Sequence, residues 1–221
     1  MRDASLLLVF KVNVYTKKKW EGTCTIMHKQ FKSVVVVSVR TTCWEKGMRP
    51  EDEEHEIIEM GICFLDVATL EISGKESILM RLQRSKVSAF CTQLTTLTQE
   101  RVDAEGIAFP QACLQFRHRK LDEYAWASFG EDHRQLIERE CLVRDAPYPL
   151  NALHLDVRLF AAWHLQLAQE PSMARTLDLL GLPPQEEHRA GDAAWSTARI
   201  LALYLAHVRS FPEAVENVEY L

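Results

Sequence analysis

The sequence predicts an α/β fold, a mixed central sheet flanked by helices, and three observations predict it. Residues 34–45 (VVVVSVRTTCWE) open with four consecutive valines, and an unbroken β-branched run of this kind reads as a central strand covered on both faces. Strand patterns come first and then alternate with helical stretches, the order expected of a sheet with helices packed on it. At 221 residues the chain buries a sizeable core in one domain without disulfides or metal.

The elements follow in order. Residues 1–30 are an N-terminal extension with two readings. Phe10, Val12 and Val14 alternate with Lys11 and Asn13, and Lys17 to Lys19 with Gly22 turn such a strand back into residues 23–27 as an added hairpin. The other reading is a loosely packed extension, with Met27 as an alternative start. The main domain spans 31–209, and 210–221 is a C-terminal tail. Ser38 and Arg40 end the valine strand and, two residues apart, share a face. Residues 45–54, charged and carrying Gly47 and Pro50, are an exposed loop. Residues 55–66 and 71–82 are two further strands joined by a turn near Ala68 to Leu70.

Residues 90–97 and 99–104 are short helical pieces. Pro110 opens a longer helix to about Tyr124, since a first turn tolerates a missing N–H. Residues 126–129 are a short strand ending at Gly130, followed by an amphipathic helix over 132–143 with Leu136, Ile137 and Cys141 on one side. Residues 153–160 begin extended and become helical. Residues 172–180 form a helix stopped by Gly181 and Pro183, and 193–209 form the last helix.

Composition narrows the function classes. A net charge of -5, with 47% hydrophobic and 26% charged residues, is ordinary for a soluble globular protein and argues against a surface that coats nucleic acid broadly. The six cysteines form no C-x-x-C pair, and with no secretory pattern they point to a reducing, cytoplasmic setting. Leu6 to Phe10 is too short for a leader core, and no apolar run approaches the ~20 residues of a membrane span.

Several segments together carry a resemblance. Thr42, Cys43, Trp44 and Glu45 follow the valine strand, and Glu56, Ile57, Ile58, Glu59 and Gly61 sit in the next. Phe90, Cys91, Leu94, Thr95, Leu97, Thr98 and Val102 form a third group, Trp126 to Cys141 (WASFGEDHRQLIEREC) a fourth, and His188 to Ala194 (HRAGDAA) with Ala198, Arg199 and Ile200 a fifth. In this order they resemble the DEDDh 3′-5′ exonucleases over roughly residues 31–207, in the branch of histone-mRNA, small-RNA and sporulation-inhibitor-like proteins. The resemblance implies a ribonuclease-H-like fold.

It also implies a chemistry that this chain lacks the residues for. Members of that family hold two divalent metals, about 4 Å apart, on four carboxylates, and a histidine acts as general base. The four acid positions fall on Ser38, Arg40, His133 and Ala193, and the base on His188. Four carboxylates supply about -4 against two Mg²⁺, whereas these residues supply between +1 and +2. The expectation is therefore a degenerate, non-cutting domain that binds a single-stranded nucleic-acid 3′ end or a protein partner, with no cofactor and no membrane association.

The alternative is an active enzyme using Mg or Mn on displaced acids, Asp132 and Asp192 with Glu45 nearby, and His188 as base. A helix step turns a side chain by ~100°, so each acid is out of register. Arg40, His133 and His188 form a metal-free phosphate site in one reading. In another, Arg40 pairs with Glu45, Glu59 or Asp192 and the cavity is inert, and a third places a transition metal on His133, His188 and Asp192. Phe90 and Leu94 are candidates to pack on a terminal base, while Trp126 and Phe129 are expected in the core. Lys17 to Lys19 and Arg117 to Lys120 are basic clusters, read as backbone contacts or as solvated surface.

Overall fold

The valine strand sits where its composition requires, in the middle. In the computed structural model, which describes residues 32–209, β1 (Ser33–Thr41) is the third of five strands in the order β3-β2-β1-β4-β5. The extension at 1–30 with its hairpin, Phe31 and the tail at 210–221 lie outside the described residues. β2 (Ile57–Asp66) and β3 (Ile72–Leu79) pair antiparallel on one side. β4 (Trp126–Ser128) and β5 (His154–Asp156) pair parallel on the other, which makes the sheet mixed.

Alternation along β1 divides the core in two. Val35, Val37 and Val39 pack with Phe109, Phe116 and Ile137, beneath α3 (Phe109–His118) and α4 (Asp132–Val143). Val36 points the other way, with Ala127, Ala194, Ala198 and Tyr204, beneath α7 (Ala190–Arg209). Val35, Val36 and Val37 are completely buried, each contributing roughly 1.5–3 kcal/mol over an exposed valine. The even-numbered face is the α7 face, so Ser38 and Arg40 belong to it.

Some boundaries differ from the sequence expectation for identifiable reasons. β1 stops at Thr41 because the ladder shifts register after Arg40. Thr42 then turns the chain, its hydroxyl donating to the Glu54 carbonyl at 3.1 Å and accepting from the Glu56 N–H at 2.9 Å. The helix from Pro110 ends at His118, not Tyr124, since Lys120 is left-handed (φ 60°) and a 3₁₀ turn over Leu121–Glu123 returns the chain to β4. The first two helices of the described residues are α1 (Ala89–Thr95) and α2 (Gln99–Glu105), capped by Ser88 and Thr98.

α5 (Val157–His164) follows β5 directly, α6 (Met173–Leu179) is capped by Ser172, and α7 starts three residues earlier than expected, at Ala190. Two residues of β2 explain that start. Glu59 accepts the Ala190 N–H at 2.8 Å, and Gly61 lets the helix backbone approach so closely that a Cβ there would lie 2.1 Å from the Ala190 carbonyl carbon.

Two buried polar clusters complete the scaffold. Glu56 and Glu140, both with fully buried side chains, share Arg144 and Arg84: Arg144 bonds Glu56 and reaches Glu140 at 2.8 Å, and Arg84 reaches Glu140 at 3.0 Å. On the other side of the sheet Ser128 and His154 share a 2.8 Å hydrogen bond, and His154 lies 2.9 Å from Glu131. Ser128 is fully buried and its hydroxyl also donates to the Gly130 carbonyl. A hydroxyl sealed in this way is a clasp between β4, β5 and α4, not a nucleophile.

Candidate functional site

The site forms where the α7 face of β1 ends. Ser38 lies opposite Gly61 and Arg40 opposite Glu59, and the first turn of α7 covers them, with Ala193 buried there. Three of the four positions singled out in the sequence are thus in one layer, and His133 enters from the start of α4. Ser38 is buried, and its hydroxyl has no partner among the described residues.

Arg40 does not make the ion pairs expected of it. Its Nη2 donates to the Glu187 carbonyl at 2.5 Å, its Nε to the His188 carbonyl at 3.4 Å and its Nη1 to the Val39 carbonyl at 3.4 Å. Glu59 is instead taken by Arg189 at 2.6 Å, Asp192 by Lys75 at 2.5 Å, and Glu45 is exposed on its loop. Burial lowers the Arg40 guanidinium from its ordinary value, opposed by the more distant carboxylates of Glu187, Glu59 and Asp192. Carbonyl dipoles orient a cation without cancelling its charge. Three of the five guanidinium N–H groups are used, which leaves two for a ligand.

His133 is held as a neutral ring. Its Nδ1 accepts the Val39 N–H at 3.2 Å, a main-chain donor that lies beyond the two β1 residues paired with β4. Burial pushes its pKa down to about 4, with Arg40 and Arg158 pulling the same way and Asp132 and Asp156 opposing. A histidine in the unfolded chain titrates near ~6.5. Between these values the unfolded chain holds the extra proton, so the stability owed to neutral His133 is complete above about pH 6.5 and is lost as pH falls toward 4. The gap is on the order of 3 kcal/mol. His133→Asn keeps an acceptor for Val39 without a titrating group, and urea midpoints at pH 7 and pH 4.5 are expected to differ less in this variant than in the wild type. Equal falls would show that His133 is protonated in the folded chain.

The remaining candidates are turned outward. His188, 45% exposed at its side chain, hydrogen-bonds the Leu94 carbonyl of α1 through Nδ1 at 2.9 Å. Asp132 pairs with Arg158 of α5 at 3.3 Å and Asp192 with Lys75 of β3, so the two acids lean toward opposite edges of the sheet. His133, His188 and Asp192 do not meet. Among the described residues no group of three or more His, Cys, Asp or Glu side chains is placed to hold a metal ion.

Around the site, Phe90 is half-buried and Leu94 is exposed, one turn apart on α1, while Cys91 and Thr95 form its buried side. Trp126 and Phe129 are core residues. The basic run at 117–120 is spent in exposed ion pairs, Arg117 with Asp122, Arg119 with Glu76 and Lys120 with Glu123. Glu187 was missed in the sequence, and nothing in its flank (PQEEHR) distinguishes it from Glu186. Burial raises its carboxyl pKa, opposed by Ser196 and Arg40.

The donor set is consequently one cation and three neutral residues. Arg40 contributes +1, and Ser38, neutral His133 and Ala193 contribute nothing. Without a carboxylate this set does not fit a pair of divalent cations.

Comparison with known proteins places the chain. The 3′-5′ exonuclease Snipper of Drosophila melanogaster is 30% identical over 100 residues, 45% of this chain and 35% of that protein. The 3′-5′ exoribonuclease 1 of Mus musculus is 37% identical over 79 residues, 35% of this chain and 22% of that protein. The chain therefore spans about a third or less of the length of these curated relatives. No protein-family model matches it. Among solved structures, the nuclease domain of 3′hExo, a DEDDh family member bound to rAMP, aligns with a TM-score of 0.70 at 24% identity, covering 80% of this chain and 93% of that one. Exonuclease I of E. coli in complex with a dT13 oligonucleotide aligns at 0.60 and 10% identity, covering 81% and 42%. The structures share the ribonuclease-H-like fold, and over part of its length the chain is similar in sequence to 3′-5′ exonucleases.

Proposed function

We propose that this domain is a pseudo-exonuclease that holds a single-stranded nucleic-acid 3′ end without cutting it. The observation that carries the reading is Arg40, a half-buried guanidinium with no carboxylate in ion-pair contact among the described residues, at a position where the resemblance puts a metal-binding acid. A phosphate brings the charge that Arg40 lacks, and the two unused N–H groups match its planar recognition. The exposed Leu94 and half-buried Phe90 border the same site through the His188 contact to α1, and offer an apolar surface to a terminal base. Relatives whose structures hold rAMP or a dT13 strand support a nucleic-acid ligand for this fold.

Catalysis on displaced acids has less support. It requires Asp132 to leave Arg158 and Asp192 to leave Lys75, and Arg40 would still repel the cation. The expected result is that a 5′-labelled single strand of RNA or DNA stays at full length in Mg²⁺ or Mn²⁺. Stepwise shortening that His188→Ala abolishes would overturn the proposal.

A further inference from the structure

The polar groups left over around Arg40 are donors. Its Nε, Nη1 and Nη2 each give one hydrogen bond to a main-chain carbonyl, which leaves two guanidinium N–H groups without an acceptor. Ser38, only 2% exposed, has a hydroxyl with no partner among the described residues. Neutral His133 accepts the Val39 N–H at Nδ1, so its ring proton sits on Nε2 and makes one more donor beside them. A buried donor left unpaired costs about 1–3 kcal/mol, a cost that a ligand rich in acceptors removes.

The acids nearby are otherwise engaged. Of the carboxyl groups whose charge reaches Arg40, Glu59 is held by Arg189 and Asp192 by Lys75, and burial pushes Glu187 toward its protonated form. A site with one cation, several donors and no free acceptor discriminates between the two ends a strand can have. A 3′-hydroxyl is neutral and brings a proton for which no carboxylate stands ready. A 3′-phosphate offers mainly acceptors, carries roughly -1.5 to -2 at neutral pH, and matches the planar fork of a guanidinium. Carboxylates at positions 38, 40, 133 and 193 would repel that group, whereas Arg40 attracts it.

We propose that the Arg40 site selects a single strand ending in a 3′-phosphate over one ending in a 3′-hydroxyl, a selection that rests on the domain being a 3′-end binder. The test is competition against a 5′-fluorescent, 3′-phosphorylated single strand bound to the full chain. Competitors are unlabelled strands of one sequence ending in 3′-phosphate, ending in 3′-hydroxyl, or carrying the phosphate at the 5′ end instead, and inorganic phosphate. The 3′-phosphate strand is expected to compete at least tenfold better than the other two, and inorganic phosphate at the same concentration to displace nothing. In Arg40→Ala that ratio should fall to within twofold, and in Arg40→Lys part of it should return, with the far-UV spectrum as the control for folding. Equal competition by the 3′-phosphate and 3′-hydroxyl strands overturns the selection and leaves the 3′-end reading standing. An equal gain from the 5′-phosphate, displacement by inorganic phosphate, or a ratio unchanged in Arg40→Ala also overturns it. A labelled strand that does not bind at all overturns both.

Discussion

Glu56→Ala is expected to lower the unfolding free energy by about 3–5 kcal/mol, the range for removing one partner of a buried ion pair. Glu56 is fully buried, accepts hydrogen bonds from three donors and has a second guanidinium in ion-pair range. The Gln83 N–H lies at 3.1 Å and the Arg84 N–H at 2.7 Å, the Arg144 guanidinium bonds it directly, and the Arg84 Nε stands at 3.8 Å. Truncation leaves two main-chain donors unsatisfied and Arg144, almost completely buried, facing only Glu140. Since a domain is stable by only ~5–15 kcal/mol, such a loss is readily measured as a shift in the urea midpoint at constant slope. Glu56→Gln keeps an acceptor for the main-chain donors and is expected to cost less. A shift under ~1 kcal/mol for the alanine variant would show that water replaces the carboxylate.

The second large effect concerns Arg40. Fluorescence anisotropy of a single-stranded oligonucleotide is expected to show salt-sensitive binding, and Arg40→Ala should weaken it at least tenfold. Loss of one phosphate contact should also flatten the slope of log K against log salt by ~0.7. Arg40→Lys should recover part of the affinity, because the charge returns without the planar fork. An unchanged affinity in Arg40→Ala would move the nucleic-acid ligand elsewhere on the domain, and no binding by the wild type even at low salt would leave it a protein-interaction module.

Much of the scaffold was legible because its cause is local. The valine run, the short strand before Gly130 and the helix at 132–143 are written in composition and period, and a strand of four buried valines has little choice but the middle of a sheet. Boundaries were less legible where a distant residue decides them. α7 begins at Ala190 because Glu59 and Gly61, some 130 residues away, receive it. The helix after Pro110 stops early because Lys120 turns left-handed, which no side-chain pattern announces.

The site was legible in part. Ser38 and Arg40 share a face because strand alternation requires it, and Ala193 covers them through α7. What Arg40 touches was not legible. Its expected carboxylate partners have nearer cations, Arg189 for Glu59 and Lys75 for Asp192, and competition among ion pairs is settled only in three dimensions. The neutrality of His133 likewise depends on burial and on the Val39 N–H, neither visible in the run EDHRQ.

The central claim is that a fixed guanidinium has taken over the anion-holding role of metals, and its most direct test is one titration. A 5′-labelled single-stranded oligonucleotide is followed by anisotropy against the full chain, once in EDTA and once in Mn²⁺. The account predicts the same binding curve in both, with anisotropy constant over time. Binding that appears only with Mn²⁺, or anisotropy that decays in Mn²⁺ as the strand shortens, would contradict it.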